Sequence, residues 1–249
     1  GLTSKALTGT TLTDVTLAGG SIALTGAAYD YARATVGSSL ALGNVRVGTL
    51  ANLGVTNTVV TSAAYQDSLD VTATTAVGTL TLANPANILA GKTGNVVVTA
   101  ATAGSLAGNV ALALSSNANG VADLTNLALA GQTVAVTGAA YDLAKPSYAA
   151  SNALGNLRVG VTTKTLAVAN TTITDAAFQD NLAVVATGAA GLTLTNPADI
   201  AAGASGNITL GASVAGSLAG NLSLGLTSKA LTGTTLTDVT LAGGSIALT

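Results

Sequence analysis

The sequence predicts an all-β protein made of tandem immunoglobulin-like β-sandwich domains. Three observations indicate this: a composition that favours strands, an internal repeat close to the length of one such sandwich, and short alternating segments separated by turn signals. The Cys…Trp…Cys pattern of antibody domains is missing, since the chain has neither Cys nor Trp. We therefore expect a cysteine-free relative of the immunoglobulin fold.

The composition is low in charge and rich in residues that suit strands and turns. Charged residues make up 7% of the 249 residues, against about 25% in ordinary globular proteins, and all ten acids are Asp. Thirty Gly and many β-branched residues favour strands and tight turns over helices. The 49% of hydrophobic residues is enough to form a buried core.

The same composition excludes two classes of partner. A net charge of −2 leaves no basic face for electrostatic binding of nucleic acid. The apolar runs are much shorter than the ~18–20 residues of a membrane-spanning helix. The absence of Lys-, Glu- and Met-rich stretches, together with many Thr, Ser and Asn, favours an extracellular or cell-surface location.

An internal repeat divides the chain. Residues 225–249 are identical to residues 1–25. The motif Gly-Ala-Ala-Tyr-Asp begins at Gly26 and again at Gly138, 112 residues later. We predict three segments: residues 1–25 as the C-terminal strands of a preceding repeat, 26–137 as sandwich repeat A, and 138–249 as sandwich repeat B. The two repeats keep several motifs in common, among them Ala-Ala-Tyr-Gln-Asp at 63–67 and Ala-Ala-Phe-Gln-Asp at 176–180.

Strand signals recur along each repeat. In repeat A, apolar and small polar residues alternate in several short segments, and Asn-Pro, Ala-Gly and Gly-Asn pairs lie between them. A short helical turn is expected within 58–68 and within 171–181. The predicted strands of repeat A are 40–47, 50–57, 68–74, 79–83, 94–100, 108–115 and 131–137.

A parallel β-solenoid is the alternative fold. Runs such as Gly-Asn-Ile-Thr-Leu at 206–210 resemble the coils of filamentous-haemagglutinin-type exoproteins. Solenoid coils repeat roughly every 20–30 residues, and no steady period of that length occurs within the 112-residue unit. The sandwich is therefore the preferred prediction.

Several segments together resemble the bacterial choice-of-anchor D repeats, an abnormal-spindle and major-sperm-protein-like branch of immunoglobulin-like sandwiches. In repeat A these segments are LGNVRVG at 42–48 and LGVTN at 53–57, followed by AGQTVAVTGAAYDLA at 130–144. In repeat B they are LGNLRVG at 154–160 and LAVAN at 166–170. The resemblance implies a giant secreted or surface-anchored bacterial protein built from sandwich modules, with no catalytic residues.

No catalytic or cofactor site is predicted. Without His or Cys, neither a Ser-His nor a Cys-His nucleophile pair can be built, and a zinc site is excluded in practice. Asp67 and Asp70 are the only close pair of acids within one repeat, and we expect the aspartates to serve in turns and caps. Calcium is not excluded, because Asp, Asn and backbone carbonyls are its ligands, but neither an EF-hand spacing nor a glycine-aspartate nonapeptide occurs.

The sequence does predict a junction between modules. A Tyr-Asp pair lies where each repeat begins, and an Arg lies in the first strand segment of each repeat, which we expect in mid-strand. We expect the tyrosine ring to be buried at the junction and the arginine to meet a nearby aspartate, which would restrict the angle between modules. The candidate junction residues are Tyr29, Asp30, Arg46, Tyr141, Asp142 and Arg158.

Residues 1–25 cannot form a sandwich alone, because two strands are marginally stable in water. We expect this segment to belong to a longer periodic chain; the alternative is that it completes a neighbouring molecule by strand addition. The expected function is that of a structural repeat in a long extracellular bacterial filament, sheath or surface layer. Assembly would use module–module contacts and, at open strand edges, lateral contacts with other copies. The alternative is the stalk of a giant adhesin.

Overall fold

The computed structural model describes residues 1–188 and 190–249. These residues form twenty β-strands and two short 3₁₀ turns, arranged as an N-terminal hairpin followed by two sandwiches. The hairpin consists of β1 (Leu2–Ser4) and β2 (Val15–Leu17).

The first sandwich contains nine strands in two facing sheets. One sheet has the order β3-β5-β8-β7, and the other has the order β4-β11-β10-β6, with β9 beside β11. The strands are β3 (Ala34–Val36), β4 (Ser39–Arg46), β5 (Leu50–Asn57), β6 (Ser68–Thr75), β7 (Leu80–Ala83), β8 (Thr93–Ala100), β9 (Gly104–Ser105), β10 (Gly108–Asn117) and β11 (Leu127–Tyr141).

The second sandwich repeats this order. Its sheets are β12-β14-β17-β16 and β13-β20-β18-β15, with β19 beside β18. The strands are β12 (Pro146–Tyr148), β13 (Ser151–Asn152), β14 (Thr163–Asn170), β15 (Asn181–Thr187), β16 (Leu192–Thr195), β17 (Ser205–Ala212), β18 (Gly220–Lys229), β19 (Val239–Thr240) and β20 (Gly244–Leu248).

This strand order is that of the immunoglobulin fold. In the usual lettering each sandwich pairs an A-B-E-D sheet with an A′-G-F-C sheet, and the short A′ strand runs parallel to G. The predicted fold class, all-β with tandem immunoglobulin-like sandwiches, is confirmed. The solenoid alternative is wrong: among the described residues the only parallel strand pairs are β4–β11 and β13–β20, and all other pairs are antiparallel.

Each sandwich has its own hydrophobic core. The first core draws its buried residues from between Ala32 and Ala140, and the second from between Ala144 and Leu248. Alternation along the strands directs every second side chain inward, as in β10, where Val110, Leu112 and Leu114 are buried. The cores consist mainly of Val, Leu, Ile and Ala, because the sequence offers almost no aromatic residues.

Six of the seven strands predicted in repeat A agree with the structure to within two residues at each end. The seventh is wrong in length: the segment predicted at 131–137 is part of β11, which begins at Leu127 and ends at Tyr141. The short strands β3 and β9 were not predicted, since two or three residues give too little alternation to recognise. The predicted helical turns are the 3₁₀ turns Ala63–Tyr65 and Ala176–Phe178.

The N-terminal hairpin has the same pairing as its identical copy in the second sandwich. Thr3 pairs with Thr16 as Thr227 pairs with Thr240. A 2.6 Å ion pair closes each copy, Lys5–Asp14 in one and Lys229–Asp238 in the other. The lysine hydrogen bond lowers the pKa of the Asp14 and Asp238 carboxyls below its ordinary value. The two copies differ in burial, since Ile22 and Leu24 are 88% and 92% exposed whereas Ile246 and Leu248 are buried.

Within the described residues, no helix has the length and hydrophobicity needed to span a lipid bilayer.

Replacement of Leu182 by Ala tests the second core. The Leu182 side chain is fully buried, so the lost burial and the remaining cavity are expected to lower the free energy of unfolding by about 2–5 kcal/mol. Urea denaturation followed by circular dichroism would measure this. The matched control is Val185→Ala on the same strand, where the side chain is 57% exposed, and a loss of similar size in both variants would contradict the assignment of the core face.

Candidate intermodule junction

One strand connects the two sandwiches without a flexible linker. Residues 138–141 at the end of β11 pair in parallel with residues 43–46 of β4, and Ala139 and Ala140 also pair with β9. The last residues of β11 are therefore held on both sides by the first sandwich. The next residue, Asp142, already belongs to the second sandwich: its N–H donates to the Phe178 carbonyl at 2.9 Å.

The close approach of β11 to β4 requires glycine at position 138. Gly138 has a φ of +144°, which side-chain-bearing residues rarely adopt. A Cβ at this position would lie 2.5 Å from the Gly43 carbonyl oxygen, well inside contact distance. Gly43 itself has a φ of +67° and lies beside the bulge where the pairing of β4 with β11 shifts by one residue.

An ion pair joins the first sandwich to the second. Arg46, the last residue of β4, places Nη2 at 2.8 Å from Oδ2 of Asp180, whose side chain is fully buried. The same Nη2 donates to the Thr237 carbonyl oxygen at 3.1 Å. Arg46 thus contacts two separate parts of the second sandwich, and its own side chain is only 23% exposed.

The Asp180 carboxylate also belongs to a buried polar network. The Ser228 hydroxyl donates to Asp180 Oδ2 at 2.7 Å and accepts from the Ala144 N–H at 2.8 Å. The Asn170 amide donates to the backbone carbonyls of Asp180 and Ile200 and accepts from the Lys145 N–H. These bonds connect the first residues of the second sandwich to its interior. The low dielectric around them strengthens each bond.

The same network occurs in the first sandwich. Ser116 donates to Asp67 at 2.7 Å and accepts from the Ala32 N–H at 2.8 Å, as Ser228 does with Asp180 and Ala144. Gln66 donates to Asn57 as Gln179 donates to Asn170, at 3.0 Å in both. The two sandwiches therefore present the same polar arrangement at the end where each begins.

The junction also contains the polar atoms that lack a hydrogen bond. In the described part of the chain, the buried side-chain atoms without a partner are Arg46 Nη1, Asp142 Oδ2 and Asp180 Oδ1. All three belong to residues at the junction, where Arg46 pairs through its other terminal nitrogen, Nη2, with Asp180 Oδ2. Their burial without a hydrogen bond offsets part of what the ion pair contributes to stability.

Aromatic rings pack beside both networks. Tyr141 lies against Phe178 with ring centroids 5.6 Å apart, and Tyr29 lies against Tyr65 at the same distance with an edge-on geometry. Tyr65 is 50% exposed. The ring pair at Tyr29 is thus at the surface, at the start of the first sandwich.

The six candidate residues occupy two kinds of position. Arg46, Tyr141 and Asp142 lie together at the boundary between the sandwiches. Tyr29 and Asp30 lie at the start of the first sandwich, where the Asp30 N–H donates to the Tyr65 carbonyl at 2.9 Å. Arg158 is exposed near a turn at the other end of the second sandwich.

Three expectations about these residues are wrong. Tyr29 and Tyr141 are half-buried instead of buried. Arg46 ends its strand instead of lying in the middle of it, and Arg158 lies outside any strand. The role in turns or caps expected for aspartates fits Asp175, which accepts from the Ala177 N–H, but Asp67 and Asp180 are buried network residues. The sequence feature that could have indicated this buried network is the Gln-Asp pair that both repeats share, at 66–67 and 179–180.

Among the described residues, no group of three or more acidic, Cys or His side chains is placed to hold a metal ion.

Comparisons with known proteins give fold similarities at low identity. No protein-family model matches the chain, and no curated protein matches its sequence. The D00-D0 domain of intimin is 10% identical, covers 86% of this chain and 99% of its own length, and has a TM-score of 0.37. A three-immunoglobulin titin fragment is also 10% identical, covers 87% of this chain and 65% of its own length, and has a TM-score of 0.39.

Domains 4–9 of the surface layer protein SbsC are 16% identical, with 88% of this chain and 31% of that chain covered and a TM-score of 0.27. Similarities this distant identify no family. The immunoglobulin-like assignment therefore depends on the strand order of the chain itself, and the resemblance to choice-of-anchor D repeats stays a prediction.

Replacement of Arg46 by Met removes the cation and keeps much of the side-chain volume. The buried Asp180 carboxylate would lose its ion-pair partner, so the second sandwich is expected to lose about 3–5 kcal/mol of unfolding free energy. Chemical denaturation would measure the loss. Arg158→Met, at the equivalent position of the second sandwich, is the matched control and is expected to change stability by less than about 0.5 kcal/mol.

The double variant Arg46→Met with Asp180→Asn separates the ion pair from other effects. Removal of both charges is expected to restore part of the lost stability, because no uncompensated buried charge remains. If the changes in unfolding free energy of the two single variants simply added up in the double variant, Arg46 and Asp180 would not be energetically coupled.

Replacement of Gly138 by Ala tests the close strand approach. The strained φ and the clash with the Gly43 carbonyl are expected to cost at least about 1–3 kcal/mol of stability. The matched control is Gly26→Ala, at the same position of the first Gly-Ala-Ala-Tyr-Asp motif, where a Cβ would meet nothing within 4 Å. Thermal unfolding of both variants would decide, and equal stability would contradict the described packing.

Proposed function

We propose that the chain is a structural repeat unit of an extracellular bacterial filament, sheath or surface layer, with a mechanical role. The observation that carries this proposal is the junction: a continuous strand, a required glycine and a buried ion pair connect the sandwiches. Such a connection limits rotation between modules, whereas a Gly/Ser-rich linker would leave it free. A fixed angle between modules is what an extended fibre requires.

The six candidate residues are proposed to act as this junction. In the chain, Arg46, Tyr141 and Asp142 form the contact between repeats A and B. Tyr29 and Asp30 would form the equivalent contact with a preceding module, and Arg158 with a following one. Stability would then come from nearest-neighbour contacts repeated along the array.

The boundaries at 25/26 and 137/138 are kept for the sequence repeats, while residues 138–141 lie in the sheet of the first sandwich. Residues 1–25 would be the last strands of a repeat whose other strands are supplied elsewhere. Support comes from the hairpin of β1 and β2, which keeps the pairing and the ion pair of its copy in the second sandwich although its apolar side chains are exposed.

The extracellular location and the relation to choice-of-anchor D repeats are part of the proposal. They are supported by the low charge, by the many Thr, Ser and Asn residues, and by the segments around 42–57 and 130–144. The alternative function is the stalk of a giant adhesin, in which the same stiff junctions would extend a distant binding tip.

Immunogold labelling of intact source cells tests the proposed function. Antibodies raised against the folded chain are expected to label continuous fibres or a layer outside the cell, at regular intervals along them. Labelling of isolated projections with a distinct terminal domain would favour the stalk. Labelling that appears only after the cells are permeabilised would overturn the extracellular role.

A further inference from the structure

One edge strand of each sandwich has its outer side covered. The strands β6 and β15 lie at the edge of their sheets and pair on one side only, with β10 and β18. In an antiparallel edge strand, every second residue directs its backbone N–H and C=O away from the neighbouring strand. These groups can pair with a strand of another molecule unless the structure covers them.

The cover is a five-residue segment that both sandwiches share. It is Asn-Pro-Ala-Asn-Ile at 84–88, directly after β7, and Asn-Pro-Ala-Asp-Ile at 196–200, directly after β16. We call these two stretches the edge segments. Their prolines have no backbone N–H to offer to a further strand.

The first edge segment bonds to β6 at two places. Leu69 and Ile88 exchange two backbone hydrogen bonds, each 2.8 Å long. Further along β6, the Ala73 N–H donates to Asn84 Oδ1 at 2.8 Å. Because orientations alternate along a strand, Val71 between them also directs its backbone groups outward, and this whole residue is only 6% exposed. The outer side of β6 from Leu69 to Ala73 is therefore bonded or buried.

The second edge segment makes the same contacts with β15. Leu182 and Ile200 exchange two backbone hydrogen bonds of 2.8 Å, and the Ala186 N–H donates to Asn196 Oδ1 at 2.9 Å. Val184, which lies between them on β15, is 3% exposed. The two sandwiches thus keep one arrangement at this edge although their sequences differ at many other positions.

Glycine in the opposite sheet lets each edge segment lie close to its own sandwich. A Cβ at Gly94 of β8 would lie 2.7 Å from Ile88 Cδ1 and 2.9 Å from Pro85 Cβ. At Gly206 of β17 the distances to the equivalent isoleucine and proline are 2.9 Å and 2.8 Å. Both isoleucines are buried, so each edge segment is anchored in the hydrophobic core.

The strand that the second edge segment covers has a composition suited to pairing with other chains. β15, with the sequence Asn-Leu-Ala-Val-Val-Ala-Thr, contains no charged residue and no Pro, and its middle five residues are apolar. Such a segment at an open sheet edge pairs readily with a copy of itself. β6 contains one charged residue, Asp70, which would oppose pairing between two copies of that strand.

We propose that the edge segments prevent copies of this chain from pairing side by side through β6 and β15. Other sheet edges are protected in different ways: β3, β7, β12 and β16 are three or four residues long, and β4 has a bulge beside Gly43. The array would then grow only through contacts at the ends of its modules.

This role rests on the proposed function, since an array places many identical sheet edges close to one another. Neighbouring fibres without covered edges would join into sheets through strand pairing. Covered edges leave the fibres separate, so that the buried contacts between successive modules determine the assembly. Lateral strand contacts, which the sequence led us to expect, would be absent between folded copies.

Cross-linking at position 185 measures side-by-side pairing, because the native chain contains no Cys. Val185 lies on β15 with 57% of its surface exposed, so pairing of two antiparallel β15 strands would bring two Val185→Cys residues within reach of a short bismaleimide. Copies that join end to end keep these residues at least one module apart. In the full chain with Val185→Cys alone, we expect little cross-linked dimer.

Asn196→Ala in the Val185→Cys background removes the side-chain oxygen that accepts from the Ala186 N–H. With that N–H free for another strand, the yield of cross-linked dimer is expected to rise about tenfold. Asn196→Asp keeps an acceptor oxygen at the same place and is expected to leave the yield low. The matched control is Asp199→Ala, at an exposed position of the same edge segment, which is also expected to leave the yield low.

A destabilised variant separates an opened edge from a general loss of stability. Leu210→Ala removes a fully buried side chain of β17 and leaves Asn196 in place, so the dimer yield is expected to stay low. Circular dichroism would establish that each variant is folded.

Three results would overturn the proposal. They are abundant dimer with Val185→Cys alone, an unchanged yield after Asn196→Ala, and a yield after Leu210→Ala that equals the yield after Asn196→Ala. Surface labelling tests the array independently. Its failure would reject the proposed function and leave the cross-linking result, and with it the role of the edge segments, unaffected.

Discussion

The buried carboxylate of Asp180 is the constraint on which the junction depends. A carboxylate taken out of water is costly unless a cation and hydrogen-bond donors compensate for its desolvation. The second sandwich supplies the Ser228 hydroxyl, but the cation, Arg46, comes from the first sandwich. Stability of one module is therefore tied to the position of the other, and the angle between them follows from where Arg46 ends β4.

The buried network around Asp180 in the second sandwich is repeated around Asp67 in the first. Each sandwich has a buried network of Asp, Ser, Asn and Gln side chains at the end where it begins. Each also has an arginine at the same repeat position, Arg46 in the first and Arg158 in the second. The first module thus supplies a cation, Arg46, to the buried Asp180 of the second. This arrangement suits an array, in which every junction uses the same contacts and no separate linker has to be specified.

The low charge of the chain gives the few ionic residues unusual weight. With eight basic and ten acidic side chains in 249 residues, most of the surface is neutral and electrostatic contacts are few. Lys5–Asp14 and Lys229–Asp238 have both partners at the surface, where ion pairs contribute little to stability. Among the ion pairs of the described residues, Arg46–Asp180 alone has a buried partner. The one strongly desolvated pair lies where orientation between modules is decided.

Much of the fold was determined by the sequence alone, because local periodicity and repetition carry it. Alternation of apolar and small polar residues predicts strands such as Leu50–Asn57, and the 112-residue repeat indicates two sandwiches. The tertiary structure alone decided the partner of Arg46, the burial of Asp67 and Asp180, and the extension of β11 through Tyr141. These depend on contacts between residues distant in sequence, such as Arg46 with Asp180 and Asp67 with Ser116, which no local pattern records.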